Sequence, residues 1–286
     1  MDVLQVEGLC KRYERFALRD VSFRVPEGHI MGFIGRNGAG KTTTLKCLLG
    51  QARPDAGAVR FFGKAYPEHE LFIKQRIAFV SGGIRFYPRR TLRTLTQVTR
   101  RFYPAWDAGA YARLMERFRL DECKRADELS EGMKVKYLLA LALSHRARLL
   151  LLDEPTSGLD PVSRDELLDI FLRLAGEEGV TILFSTHITS DLDKCADDIL
   201  YMREGEAIAC EPTASFTSRY LRVQGPQHVL ASPFSDLLIG CRAHAGRFQA
   251  LLPRQGGTAP LPEAVQTAPA TLEDIMVCLE RRERDA

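Results

Sequence analysis

Short apolar runs, each ending at a glycine or a charged residue, recur along this chain of 286 residues. One run predicts a buried strand over residues 29–34, followed by a glycine-rich turn and a helix that ends at Gly50. Four consecutive leucines precede Asp153, which is typical of a strand covered on both faces of a parallel sheet. A third apolar run, residues 179–185, predicts a further strand. The pattern therefore indicates an α/β core.

Changes in the pattern predict how the chain is organised. Short strands are predicted over residues 1 to about 80, residues 84–148 are mostly helical, and short strands return after residue 210. We predict a first domain over residues 1–210, with a helical subdomain at about 84–148, and a small α+β appendage over residues 211–286.

The appendage has strand patterns at residues 220–225 and 241–253, the latter turning at Gly246. Residues 253–270 are rich in Pro and Gly and are predicted to be a connector. The final helix begins with a capping-box-like pair, Thr271 and Asp274. Its apolar stripe, which must be buried, consists of Leu272, Ile275, Met276 and Leu279.

Composition limits the class of protein. The formal net charge of +3 is too small to indicate nucleic-acid binding, and the Arg cluster at residues 85–101 is interpreted as a solvated face. No apolar run reaches the roughly 18 to 20 residues that span a bilayer, and the first residues lack the pattern of a secretory signal. The seven cysteines are scattered and never in CxxC spacing, so we expect reduced packing residues without a metal or disulfides. We expect a protein of the cytoplasm.

The glycine-rich turn has the phosphate-loop spacing GxxxxGK[ST], from Gly35 through Gly40 and Lys41 to Thr42. Glycines let backbone N–H groups converge on phosphate oxygens, the lysine adds a positive charge, and the threonine hydroxyl suits Mg²⁺. The following helix directs its positive end at the same phosphates. Unrelated chains match this spacing by chance, but here the motif follows a predicted strand and opens a predicted helix. We therefore predict a nucleotide site.

Two more polar clusters follow predicted strands. Asp153 and Glu154 end the leucine run, and His187 follows the strand at residues 179–185. Ligands bind beyond the carboxyl ends of parallel strands, so we expect the three clusters to form one site. One acid would suit a bound metal ion, and the other would suit an attacking water. The alternatives are a helix cap or solvated turn for the acids and a structural role for the histidine.

The segments GRNGAGKTT, LSEGM, LLLLDEPTSGLD and ILFSTH, in this order, resemble the ATP-binding subunits of ABC transporters over roughly the first three quarters of the chain. The resemblance implies a phosphate-loop NTPase core with an antiparallel β subdomain and a helical insertion, which binds ATP and Mg²⁺. It assigns nucleotide binding to Gly35, Asn37, Gly38, Ala39, Gly40, Lys41, Thr42 and Thr43. Thr42 and Asp153 would contact Mg²⁺. Glu154 would polarise the attacking water, and His187 would sense the γ-phosphate.

Tyr13 matches the family position whose aromatic ring stacks on adenine. A ring offers face area without base-specific hydrogen bonds, which suits this role. The alternative is a core residue at a strand edge.

The LSEGM segment matches the family's signature turn, which completes the nucleotide site of the other subunit in a head-to-tail dimer. Ser130 and Gly132 would meet that nucleotide, and Asp160 would lie at the same interface. The partner would be a second copy or a homologous ATPase subunit. Within its own subunit Ser130 would only cap a helix, which is the alternative. Glu131 and Met133 depart from the common signature.

A further departure follows the strand RIAFV. Most family members have a Gln there, which contacts Mg²⁺ and the attacking water and links the site to the permease. This chain has Ser81, Gly82 and Gly83 instead. Because no side-chain amide is available, we expect weak basal ATPase activity that rises when a membrane partner is present.

In the family, the helical insertion grips a cytoplasmic helix of an integral membrane permease. Phe86, Tyr87 and Arg90 are predicted contacts, and packing inside the subdomain is the alternative for the aromatic residues. The segments TLEDIMV and SHITSDL resemble exporter-type cassettes that move peptides or drugs. The resemblance therefore implies an ATPase subunit that powers a separate permease from the inner face of the cell membrane.

Two alternatives belong to other classes. A soluble ABC-type ATPase acting on DNA or ribosomes is disfavoured because the chain has neither a long heptad insertion nor a strongly basic arm. A regulatory module that does not hydrolyse ATP is disfavoured by Glu154.

Overall fold

The computed structural model describes residues 1–81, 87–254 and 261–282. Gly82, Gly83 and Phe86, which carry sequence predictions, lie outside the described residues. The chain divides into two compact units, Met1–His187 with Asp198–Cys210, and Ile188–Asp197 with Glu211–Ala286.

The first unit alternates strands and helices. Its strands are β1 (Asp2–Tyr13), β2 (Phe16–Pro26), β3 (Ile30–Ile34), β4 (Ala56–Phe61), β5 (Lys64–Tyr66), β6 (Ile77–Ser81), β7 (Leu149–Asp153), β8 (Thr181–Ser185) and β9 (Asp198–Arg203). Its helices are α1 (Lys41–Leu48), α2 (Glu70–Lys74), α3 (Leu92–Thr99), α4 (Ala108–Arg117), α5 (Glu131–Ser144) and α6 (Pro161–Gly176). The strand β10 (Glu206–Pro212) runs across the division between the units.

A six-stranded sheet in the order β10-β9-β3-β8-β7-β6 forms the core of the first unit. The pairs β6–β7, β7–β8, β8–β3 and β3–β9 are parallel. Every residue of β3 and β8 is buried, as is β7 up to Leu152. Strands covered on both faces need apolar residues at consecutive positions, which explains the continuous runs in the sequence. The predicted α/β core is confirmed.

Strand register brings four loops to one edge of this sheet. Asp153 at the end of β7 pairs with Ser81 of β6 and with Ser185 of β8. Ser185 also pairs with Phe33, close to the end of β3. The loops after β3, β6, β7 and β8 therefore leave the sheet at the same edge.

An antiparallel sheet in the order β2-β1-β4-β5 lies in the same unit. Its inward side chains alternate with exposed ones, as expected for a sheet with one buried face. β1 ends at Tyr13, which pairs with Phe16 at the start of β2.

Helices α3, α4 and α5 are joined by buried hydrogen bonds. The Thr96 hydroxyl lies 2.8 Å from the Tyr111 hydroxyl and 2.9 Å from that of Tyr137. Because a buried hydroxyl without a partner is costly, this cluster fixes the positions of the three helices relative to one another. Trp106 packs beside Tyr111 and Tyr103 stacks on His145, so for these aromatic residues the interpretation as internal packing is correct.

His145 at the carboxyl end of α5 makes stability dependent on pH. It is 3% exposed, its ring lies 3.9 Å from that of Tyr103, and burial lowers the pKa of His145 to about 4. The unfolded chain takes up the proton near pH 6.5, so stability is full above that value and falls as the pH drops towards 4.

We expect this loss to reach roughly 3 kcal/mol in the free energy of unfolding. His145→Phe keeps a ring on Tyr103 and should flatten the pH dependence between 6.5 and 4, measured by urea unfolding. His69→Phe, at an exposed histidine of the same unit, is the control. Equal pH slopes for wild type and His145→Phe would contradict the assignment.

The second unit has an antiparallel sheet in the order β12-β13-β11-β14. Its elements are α7 (Thr189–Cys195), α8 (Thr213–Ser218), β11 (Tyr220–Pro226), β12 (Ile239–His244), β13 (Arg247–Pro253), β14 (Gln266–Pro269) and α9 (Leu272–Arg282). β12 and β13 form the hairpin expected at Gly246. The prediction of a connector over residues 253–270 is wrong at β14, which is an edge strand paired with β11 and therefore tolerates its terminal proline.

Helix α9 begins with the predicted capping box, in which the Thr271 hydroxyl accepts from Asp274 N at 3.2 Å and the Asp274 carboxylate accepts from Thr271 N at 3.1 Å. Leu272 and Ile275 of the predicted stripe are buried. Met276 and Leu279 are only half-buried, and Cys278 is buried instead. The reason is a close backbone approach at Gly240, where a side chain would lie 2.3 Å from the Cys278 carbonyl oxygen.

Helix α7 lies in the range that the sequence assigned to the first domain, but it packs on α9 in the second unit. Asp193 accepts a hydrogen bond from Leu272 N, at the start of α9, at 3.2 Å. A carboxylate at a helix amino terminus is favourable because the first N–H groups lack partners within the helix.

Candidate functional site

The phosphate loop joins β3 to α1 in a conformation that requires glycine. Gly35 and Gly40 have φ values of 150° and 113°, in a region that other residues seldom adopt. A side chain at Gly35 would lie 2.3 Å from the Met202 carbonyl oxygen, and one at Gly40 would lie 2.7 Å from the Leu18 side chain. The loop therefore packs its backbone against the core and leaves its other surface free for a ligand.

Lys41 is the first residue of α1, and its ammonium group bridges the loop. Nζ donates to the Gly35 carbonyl at 2.6 Å and to the Arg36 carbonyl at 3.3 Å. Burial lowers the pKa of Lys41, whereas the nearby carboxylates of Glu154 and Asp153 raise it. The positive charge is thus held at the amino terminus of a helix, where an anion binds most favourably.

Asp153 is held at the end of β7 by the neighbouring strand. The Ser185 hydroxyl donates to Asp153 Oδ1 at 2.6 Å and accepts from Glu154 N at 3.2 Å. The Thr42 hydroxyl lies 3.5 Å from Asp153 Oδ2. The Thr42 hydroxyl and the Asp153 carboxylate, both oxygen groups that suit a hard cation, therefore lie side by side.

Glu154 and His187 are in hydrogen-bond contact at the same edge. Glu154 Oε2 lies 2.7 Å from His187 Nδ1 and 3.4 Å from His187 N. Glu154 has a φ of 52°, a conformation that costs a residue with a side chain about 1 kcal/mol or more. Its backbone N–H is fixed by the Ser185 carbonyl at 3.0 Å. The interpretation of the acids as a helix cap is wrong, since Asp160 caps the next helix.

A cavity of about 680 Å³ opens in front of the phosphate loop. It is lined by Tyr13, Arg15, Phe16, Arg36, Asn37, Gly38, Gly40, Lys41, Thr42, Thr43 and Glu154. Tyr13 is 46% exposed, so it is not a core residue of the strand edge. Gly35 and Ala39 of the loop are buried and do not line the cavity.

Sequence reasoning did not identify several residues of this region. Arg15, Phe16 and Arg36 line the cavity, and Ser185 holds Asp153 at the end of β7 and Glu154 just after it in place. The one signal in the sequence was that Ser185 ends an apolar run two residues before His187.

Ser130 and Gly132 lie outside the lining of this cavity. Ser130 caps α5 by accepting a hydrogen bond from Met133 N at 3.2 Å, and it is exposed. A side chain at Gly132 would meet its nearest neighbour, Ser163, at 3.6 Å, an ordinary contact distance. Nothing in the described part of the chain therefore requires glycine at residue 132.

Asp160 caps α6 by accepting from Val162 N and Ser163 N at 3.0 Å each. Hydrogen bonds from the side chain and backbone of Ser163 lower the pKa of Asp160. Asp160 is therefore a carboxylate at neutral pH, on an exposed turn.

Comparisons with known proteins all give the same family. Residues 18–157 match the ABC transporter family. The chain is 32% identical to the ABC transporter ATP-binding protein YtrB of Bacillus subtilis, covering 72% of this chain and 70% of that protein. It is 34% identical to the bacitracin transport ATP-binding protein BcrA of Enterococcus faecalis (72% and 68% covered). It is 38% identical to the Nod factor export ATP-binding protein I of Burkholderia orbicola (70% and 67% covered).

Solved structures show the same fold. An ATP-binding subunit of an ABC transporter aligns with a TM-score of 0.68 at 28% identity, covering 76% of this chain and 92% of that one. The ATP-binding cassette MJ0796, a dimer in a post-hydrolysis state with ADP and Pi, aligns with a TM-score of 0.64 at 20% identity (73% and 98% covered). The relatives favour a transporter subunit over a soluble ATPase acting on DNA or ribosomes. This chain belongs to the family of ABC transporter ATP-binding proteins, and it is an ATP-binding and ATP-hydrolysing subunit of such a transporter.

Proposed function

We propose that the cluster at the edge of the six-stranded sheet hydrolyses ATP with Glu154 as the general base. The observation that carries this proposal is the convergence of Lys41, Asp153, Glu154 and His187 from the ends of β3, β7 and β8. Lys41 and the backbone of residues 35–43 hold the phosphates, and the carboxylate of Glu154 accepts a proton from the attacking water.

His187 positions that base. Its Nδ1 lies 2.7 Å from Glu154 Oε2, so the imidazole restricts the carboxylate to one orientation. The left-handed backbone conformation of Glu154 turns its side chain away from the path of β7 and towards the phosphate loop. Glu154 therefore lines the cavity in front of that loop. The cost of that conformation is offset by the two hydrogen bonds that Glu154 N donates, to the Ser185 carbonyl and to the Ser185 hydroxyl.

The Thr42 hydroxyl and the Asp153 carboxylate fit Mg²⁺, which prefers oxygen ligands and takes few of them from the protein when phosphates are present. A Mg²⁺ ion held by these two residues would neutralise the charge of the phosphates. Ser185 keeps Asp153 in place by donating to its other oxygen.

We further propose that Ser130 and Gly132 complete the site of a partner subunit in a head-to-tail dimer. The Ser130 oxygen accepts the Met133 N–H and retains its own proton to donate. The exposed amino terminus of α5, a helix of 14 residues, provides a positive end for an anion. Asp160 would lie at the same interface, where its exposed turn is available for contact.

The dimer would drive a separate integral membrane permease and would sit on the inner face of the cell membrane through that permease. No helix among residues 1–81, 87–254 and 261–282 is long and apolar enough to cross a membrane. Relatives named for bacitracin transport and Nod factor export support a transporter that exports a peptide or drug-like substrate. We assign residues 1–210 to the ATPase domain, apart from α7, which packs in the second unit, and residues 211–286 to an appendage without a role in the chemistry.

Exposed apolar residues of the helical subdomain support the permease contact. Val98 and Phe102, one helical turn apart, are 52% and 71% exposed, and Tyr87 is 70% exposed. Exposed aromatic residues beside arginines such as Arg90 are typical of protein interfaces.

Reconstitution with the cognate permease tests this function. We expect turnover to rise severalfold over the isolated subunit, and Val98→Ser with Phe102→Ser should remove the rise while preserving basal turnover. Leu172→Ser, at an exposed leucine of α6, is the control. Full turnover by the isolated subunit, with no response to the permease, would contradict the proposal.

A further inference from the structure

Lys11 lies next to the proposed base-stacking residue. Lys11 and Tyr13 are two residues apart on β1, so their side chains leave the same face of the strand. Lys11 Nζ lies over the Tyr13 ring, 5.6 Å from its centroid. The Lys11 side chain is only 19% exposed, which is unusual for a lysine.

Asp55 anchors the lysine. Its Oδ1 accepts from Lys11 Nζ at 3.0 Å, and its Oδ2 accepts from Arg12 N at 2.6 Å. The Asp55 backbone N–H donates to the Cys10 carbonyl at 2.8 Å. The hydrogen bonds from Arg12 N and the Lys11 side chain lower the pKa of Asp55, so the pair is charged at neutral pH. Three contacts with β1 thus fix the carboxylate that holds the ammonium group.

The Tyr13 ring connects this pair with the nucleotide cavity. Tyr13 lines the cavity together with Arg15 and Phe16, whereas Lys11 does not. A cation over one face is attracted by the ring's quadrupole and restricts the orientation of the ring. A ring that is already oriented loses less conformational entropy when a ligand stacks on it.

We propose that Lys11, anchored by Asp55, is a positioning residue that holds the Tyr13 ring ready to stack on the purine base of ATP. This inference rests on the proposed ATP site and on the adenine-stacking role that the family resemblance implies for Tyr13, which lines the cavity. It differs from two simpler roles, namely long-range attraction of the phosphates by the Lys11 charge and cross-linking of β1 to the loop before β4.

The test measures ATP binding and turnover for Lys11→Met, which keeps the length of the side chain and removes its charge. We expect the Kd and KM for ATP to rise roughly two- to fivefold, as for loss of a cation–π contact, with kcat at saturating ATP unchanged. Lys11→Arg, which keeps the positive charge, should have the wild-type Kd and KM for ATP. Binding of inorganic tripolyphosphate, which has no base, should not change.

Two comparisons separate positioning from general effects. Lys64→Met, at an exposed lysine of β5 in the same sheet, should leave all constants unchanged. Tyr13→Ala should weaken ATP binding roughly 5- to 100-fold, and adding Lys11→Met to it should have no further effect. Thermal unfolding of each variant checks that the sheet is intact.

Each contrary result has a distinct meaning. If Lys11→Met leaves the Kd for ATP unchanged while Tyr13→Ala raises it, stacking stands and the inference about Lys11 is wrong. Equal weakening of ATP and tripolyphosphate by Lys11→Met would also overturn the inference, in favour of phosphate attraction. If Tyr13→Ala has no effect on ATP binding, the stacking role itself fails and the inference fails with it.

Discussion

Glu154→Gln should stop steady ATP turnover and leave ATP binding intact. The amide has the same shape as the carboxylate but cannot accept a proton from water, and a general base typically contributes about 10²- to 10⁴-fold to the rate. Gln also removes a negative charge that lines the cavity. ATP should therefore remain bound, and an ATP-bound dimer should accumulate. Phosphate release and size-exclusion chromatography with ATP measure the two effects.

Glu178→Gln is the matched control for this variant, because Glu178 is exposed on the turn before β8. It should turn over at the wild-type rate. Near-normal turnover by Glu154→Gln would exclude Glu154 as the base, and the proton would then have to leave by another route.

Lys41→Ala and Ser130→Arg should both be inactive, but at different steps. Lys41→Ala removes the buried charge at the start of α1, and the loss of charge-assisted hydrogen bonds should weaken ATP binding on the order of 100-fold or more. Lys46→Ala, at an exposed lysine of the same helix, should bind ATP normally. Equilibrium binding of a fluorescent ATP analogue measures the difference.

Ser130→Arg should bind ATP with the affinity of the wild type, since Ser130 does not line the cavity of its own subunit. A long cation at the amino terminus of α5 should instead block approach of the partner subunit. Replacing the cap costs about 1 kcal/mol of helix stability, so thermal unfolding must show that the variant is folded. Loss of ATP affinity in a folded Ser130→Arg protein would contradict a role in trans.

The positions of the polar clusters at strand ends could be predicted because they depend on strand type and direction alone. A run of leucines that ends in Asp153 has one plausible place, the carboxyl end of a buried parallel strand. Once three such ends are parallel neighbours, their polar residues meet at one edge. The same logic holds for the phosphate loop, whose glycines are required by its backbone.

Contacts that depend on side-chain packing between distant segments could not be predicted. Ser185 resembles any other small residue in an apolar run, and its role follows only from the register that places it beside Asp153. Lys11 and Asp55 are separated by 44 residues and meet because β1 pairs with β4. The burial of Cys278 depends on the close approach at Gly240, which no helical periodicity reveals.

The short β14 strand could not be predicted from the sequence for a different reason. Four residues with a terminal proline carry too little pattern to distinguish an edge strand from a connector, and pairing with β11 decides the outcome. The burial of His145 likewise could not be predicted from the sequence, because a single histidine at the end of a helix has no periodic signal.

A mixture of Ser130→Arg and Lys41→Ala proteins tests the composite site most directly. In a head-to-tail dimer of the two, one site combines an intact phosphate loop with an intact signature turn, whereas neither homodimer contains such a site. We predict that the two inactive proteins regain ATP turnover when mixed, reaching about a quarter of the wild-type rate if subunits exchange freely. Turnover of the mixture that equals the sum of the separate proteins would contradict completion of each site by the partner subunit.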